Sequence, residues 1–180
     1  MSIDRNQKRI FKSVKMLTVA AMLTAMSVVI GIFCKNTLNF GNGLYRITFE
    51  NLPIIMSGIL FGPIVGGLVG AASDFVSYLL SAQTFAPNLI VTAGAMAVGV
   101  ISGVCSKYIV RKKGNLQIIL SGSFAHLIGS MIIKPIGLYQ FYGIAVLVRV
   151  PLYLIIAPIE ISVLCLLFSR ESFRRLTDYY

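Results

Sequence analysis

Four long stretches of this sequence carry no Asp, Glu, Lys or Arg: 16–34, 51–73, 75–106 and 114–133. A helix needs about 20 apolar residues to cross the hydrocarbon of a bilayer, so these runs demand several crossings. The composition agrees, with 57% of the 180 residues hydrophobic and only 12% charged, far from the usual balance of a soluble domain. A basic N-terminal segment ahead of residues 16–34 imitates a secretory signal. That apolar run is too long for one, however, and no small-residue cleavage site closes it, so it reads as a first helix.

The cations set the topology. Five of them (Arg5, Lys8, Arg9, Lys12, Lys15) precede the first run, four (Lys107, Arg111, Lys112, Lys113) lie between later runs, and three (Arg170, Arg174, Arg175) follow the last. Clusters of this kind mark cytoplasmic ends rather than a nucleic-acid surface. Keeping all three on one side requires an even number of crossings between them. The expected fold is an all-α membrane protein of six transmembrane helices, at about 14–33, 50–61, 64–82, 87–108, 116–135 and 148–169, with both termini cytoplasmic. Residues 1–180 then form one integral membrane domain of the cell membrane, without a soluble one. The second helix is too short to span alone, which makes residues 34–48 a candidate lid or wall, since irregular backbone at membrane depth must be buried or line a cavity.

Four cations remain, Lys35, Arg46, Lys134 and Arg149, and all fall at or just inside the outer face on this topology. Glu50, Asp74 and Glu160 accompany them, with Asp74 halfway along the third helix and Glu160 well inside the sixth. Ionisable groups at such depth face a bundle interior or a wet cavity. One explanation is an internal salt bridge that only fixes packing. The other is a polar cavity open to the outside, with Asn51 and Asn88 as hydrogen-bonding groups and Phe49, Tyr78 and Tyr139 among the aromatics. Such a lining suits an anionic, aromatic, hydrogen-bonding solute, although any single aromatic is as readily explained by packing.

Gly62, Gly66 and Gly70, and again Gly99 and Gly103, repeat at spacing four, the pattern of closely approaching membrane helices. Ala21 and Ala25 repeat it on the first helix, a face for docking inside this protein or onto another. Cys34, Cys105 and Cys165 have no CxxC spacing, and the single His126 cannot build a multi-histidine metal site. With no GxxxxGK[ST], HExxH or GxSxG motif, neither a metal nor a cofactor is expected and an enzyme is not the reading. Uphill transport would need an ion gradient or a partner ATPase, and an ion-coupled carrier usually shows two related repeats, which are not found.

The segment RITFENLPIIMSGILFGPIVGGLVGAASDF at 46–75, with AAMLTAMSVVIGIF before it, resembles the folate-specific substrate-binding subunits (S-components) of energy-coupling factor transporters. The resemblance covers essentially the whole chain and is strongest in the F-x-N-L-P-I-I-x-x-G-x-x-F-G-P block from Phe49 to Pro63, the spaced Gly66, Gly70 and Asp74, and the pair Lys134 and Arg149. It implies an S-component-like bundle that captures a vitamin from outside and works with a transmembrane T-component and two ATP-binding-cassette ATPases. It also implies that Ala21 and Ala25 contact the T-component. Toppling in the membrane would deliver the vitamin, gated by the loops at about 34–48, 82–88 and 136–147.

Folate suits the residues in its own right. The pterin's adjacent N–H donors match a carboxylate, for which Asp74 is the first choice and Glu160 the second. The glutamyl tail calls for Arg46, Lys134 and Arg149, the rings for aromatic faces, and Asn51 and Asn88 add hydrogen bonds. Other vitamins fit less well: cationic thiamine beside three cations, riboflavin without need of them, pantothenate without a ring. An enzyme acting on lipid or prenyl phosphates would need acidic residues clustered for Mg²⁺, whereas here they are dispersed over three helices. A structural scaffold would not need intramembrane charges at all.

Overall fold

The computed structural model describes residues 5–40, 45–81, 88–110 and 114–170, with side chains lying outside the description at 5–13, 39, 40, 45, 46, 141, 142 and 148–150. The chain opens with α1 (Arg5–Thr37), whose 33 residues run about 50 Å at 1.5 Å per residue. This exceeds the expected 14–33 at both ends. The basic N-terminal segment is built largely of good helix formers, and the last turn is tied down by Lys35, which donates to Ser77 Oγ at 2.7 Å. A minimal antiparallel pair follows, β1 (Asn39–Phe40) and β2 (Tyr45–Arg46), with Asn39 opposite Arg46.

Then come α2 (Asn51–Phe61) and α3 (Pro63–Leu80). At 11 residues, α2 is about 16 Å long and cannot cross a hydrocarbon core of about 30 Å. The fold resolves this by burying every residue of α2 inside the bundle, where it touches α1, α3, α4 and α5. Its last carbonyls are met by Lys107, which donates to Phe61 O at 3.1 Å, a cation at the negative end of the helix dipole. The reversal into α3 sits on Gly62, whose φ of 96° suits glycine, followed by Pro63 at the first helical position.

The fourth helix, α4 (Leu89–Val104), runs on through a wide π turn at Cys105–Ile109. It packs on α3 along the spaced glycines. A Cβ on Gly66 would lie 2.5 Å from Gly99 O, and one on Gly58 of α2 would meet the same carbonyl at 2.5 Å. Glycine here is a condition of helix approach, in keeping with membrane packing through small residues.

Next are α5 (Asn115–Ala125), a second π turn (His126–Ile133) and α6 (Lys134–Tyr142), then a 3-10 turn (Gly143–Val148) and α7 (Arg149–Ser169). The expected end at 135 and loop at 136–147 are therefore helical instead. Pro135 lacks an N–H and would break an ordinary helix, but it falls at the start of α6, where the hydrogen-bond pattern is already changing from the wide turn. Gly143, at φ 56°, makes the reversal toward α7.

Polarity is inside out. Ile64 is 78% exposed, Leu17 70% and Leu166 69%, while Asn51, Ser102 and Glu160 are wholly buried. Among the described residues, five helical stretches are long and apolar enough to cross a membrane, and α2 is a shorter apolar helix beside them. Apolar side chains facing outward and polar ones turned inward are what a lipid solvent selects.

Candidate functional site

Because α2 reaches only partway through the bundle, its N-terminal residues end inside the protein. Asn51 is fully buried there and Lys134 is 4% exposed. Lys134 Nζ donates to Asn51 Oδ1 at 2.8 Å and to Glu50 Oε1 at 3.3 Å. Asn51 Nδ2 in turn donates to Ser130 Oγ at 3.3 Å. From α1, Ser27 Oγ donates to the backbone carbonyl of Glu50 at 2.7 Å. Four elements thus converge on one buried polar knot.

The wide turn explains how α5 and α6 supply their part. Residues four apart on an α-helix drift by about 40°; a π turn winds less per residue and opposes that drift. His126, Ser130 and Lys134 consequently all face the interior.

Beside the knot lies a cleft of about 200 Å³ counting its mouth, lined by Ser27, Glu50, Ile54, Ser73, Asp74 and Ser77 among others. Asp74 Oδ2 accepts from Thr92 Oγ1 at 2.7 Å, which orients the carboxylate from α4. Ser77, four residues beyond Ser73, is held by Lys35 from α1. Two carboxylates, two lysines and several hydroxyls therefore share one end of the bundle, with an apolar floor. The lining offers carboxylate and hydroxyl acceptors beside the apolar Ile54 and Ala95.

The remaining sequence candidates fall elsewhere. Glu160 lies 2.8 Å from His126 Nε2, with both side chains at or below 1% exposure, and it does not line the cleft. Asn88 caps α4, accepting from Ile90 N at 2.9 Å, and also donates to Gly137 O. Phe49 and Tyr78 are half-buried, whereas Tyr139 is exposed. The side chains of Arg46 and Arg149 lie outside the described residues. Ala21 and Ala25 are exposed on one face of α1 with Leu17, Met22 and Val29. Among the described residues no group of three or more His, Cys, Asp or Glu side chains is arranged to hold a metal.

Sequence reading passed over Glu50 as a cleft residue, together with Ser27, Ser73, Ser77, Thr92 and Ser130. A signal was present in the spacing: Ser73 and Ser77 flank Asp74 on α3, and Ser130 stands four before Lys134.

Comparison with known proteins places this geometry in context. Residues 15–175 match the family model of the ECF transporter substrate-specific component. The chain is 30% identical over 92 residues to the folate transporter FolT of Clostridium novyi, covering 49% of this chain and 51% of that one. It is 32% identical over 104 residues to the uncharacterized MG098 homolog of Mycoplasma pneumoniae, covering 57% of this chain and 21% of that protein. The chain thus aligns with about half of one curated relative and about a fifth of the other. Among solved structures, FolT bound with folic acid shares the fold at a TM-score of 0.64 and 24% identity, over 82% of this chain and 89% of the other.

Proposed function

Given that the chain belongs to the substrate-specific components of ECF transporters, multi-pass membrane subunits that bind a transporter's substrate, we propose that its substrate is a folate taken from outside the cell. The observation that carries the vitamin's identity is the cleft, where Asp74 is oriented by Thr92 in a bundle with the fold of the FolT that binds folic acid. A carboxylate fixed in this way accepts the adjacent N–H groups of a pterin in bidentate fashion.

The room inside the cleft is about 10 Å³, about enough for one water, against roughly 300–1,000 Å³ for sites that enclose a whole drug-sized ligand, so ligand entry requires the cleft to widen. It receives the pterin, while the benzoate and glutamyl tail extend toward the outer loops. Phe49 and Tyr78 supply ring faces, and Arg46 and Arg149 supply cations for the tail. Asn51, Asn88 and Lys134 hold the elements that shape the site. Glu160 belongs to packing through His126.

Delivery follows by toppling of the whole subunit against a T-component driven by two ATP-binding-cassette ATPases, with Ala21 and Ala25 on the contact face. The basic clusters support cytoplasmic termini. Residues 1–180 act as one membrane domain.

Calorimetric titration of the purified chain with folic acid, pantothenate, riboflavin and thiamine tests this reading. Folic acid alone is expected to bind tightly. Asp74→Asn is expected to weaken it by about ten- to a hundredfold, the loss of a charge-assisted hydrogen bond of roughly 1.5–3 kcal/mol. Tight binding of another vitamin in place of folic acid contradicts the reading.

A further inference from the structure

We infer that Glu50 is a second ligand-recognising carboxylate, facing the same cleft as Asp74, and that Lys134 is a positioning residue for Glu50 and not the cation for the ligand's tail. This rests on the folate reading.

The first support is placement. Glu50, just ahead of α2, and Asp74 of α3 line one cleft together with Ser27, Ser73, Ser77 and Ile54. A second observation points to an occupant. Ser73 Oγ lines this cleft at 3% exposure of its residue and has no hydrogen-bond partner among the described residues. Buried hydroxyls are nearly always satisfied, so a polar edge entering the cleft supplies what the fold does not.

The chemistry of that edge follows from the acceptors. An aminopyrimidinone carries a ring N–H and both hydrogens of an amino group. One carboxylate accepts the ring N–H and one amino hydrogen, leaving the other amino hydrogen for a second acceptor. Asp74 serves as the first and Glu50 as the second.

Lys134 is already committed. Its Nζ spends two of its three N–H donors on Asn51 Oδ1 and Glu50 Oε1 and it is 4% exposed, which leaves a ligand carboxylate little access to it. Held there, Lys134 keeps Glu50 aimed. On the opposite side Gly31 makes room for the same carboxylate, since a Cβ at that position would sit 2.9 Å from Glu50 Oε2.

The experiment measures affinities of the purified chain for folic acid, for pteroic acid, which lacks the glutamyl tail, and for the 2-desamino analogue of folic acid. Glu50→Gln is expected to weaken folic and pteroic acids alike, by about tenfold or more, and the 2-desamino analogue by less than about threefold. Lys134→Gln is expected to leave the ratio of folic to pteroic acid affinity unchanged. If Glu50→Gln does not yield folded protein, Glu50→Asp takes its place, keeping the charge beside Lys134 while withdrawing the oxygens. An equal loss for all three ligands, or a loss of the preference for folic over pteroic acid in Lys134→Gln, overturns the inference alone. Failure of the wild-type chain to bind folic acid overturns the folate reading and this inference with it.

Discussion

At the scale of single residues, the interior holds two kinds of ionisable group. Glu160 and His126 approach to 2.8 Å in full burial, a pairing that suits packing. Removing one partner of a buried polar pair leaves the other unsatisfied, at a cost of about 1–3 kcal/mol, whereas replacing both by apolar groups is often neutral or better. Glu160→Leu is therefore expected to lower the thermal unfolding midpoint in detergent, and Glu160→Leu with His126→Phe to restore it, while folic acid affinity changes little in the double variant. Asp74 belongs to the other kind. Thr92→Val removes the hydrogen bond that aims it, and titration is expected to show folic acid weakened by about two- to tenfold, the equivalent of roughly 0.5–1.5 kcal/mol. The cleft position of Asp74 and the burial of Lys134 were legible in the sequence, because a charge in an apolar run has few uses. Glu50 was not, since at the end of a run it looks like a rim residue; only the short, buried α2 brings it inside. The serines carried less signal still, because serine is common on membrane helices whether or not it binds anything.

At the scale of elements, the account depends on α3 and α4 approaching until backbone meets backbone. Gly66→Leu puts a side chain where the first carbon would already be 2.5 Å from Gly99 O. It is expected to reduce the yield of monodisperse protein in size-exclusion chromatography far more than Ile64→Leu, whose side chain is 78% exposed. The turn at Gly62 and Pro63 and the glycine spacing could be read directly, since each residue type carries its own conformational meaning. The passage from α5 into α6 could not. Pro135 signals a helix end in local terms, and what carries the helix onward is the wide turn before it, which no residue type announces.

At the scale of the whole molecule, apolar side chains face outward and polar ones inward, and one face of α1 presents Ala21 and Ala25 to the surroundings. Bulky replacement there, Ala21→Trp with Ala25→Trp, is expected to leave folic acid binding by the purified chain intact and to bring folate uptake by cells carrying the complete transporter down to background. Capture and delivery are thereby separated on one molecule. Radiolabelled uptake and equilibrium binding on the same variant make that comparison. The central claim, that this substrate-specific component captures folate, is tested most directly by a native mass spectrum of the protein purified without added ligand and again after incubation with folic acid. The account predicts a folate-sized adduct that persists in the membrane-protein peak and is lost in Asp74→Asn. A folded protein that carries a different vitamin, or that takes up no folic acid when it is supplied, would contradict it.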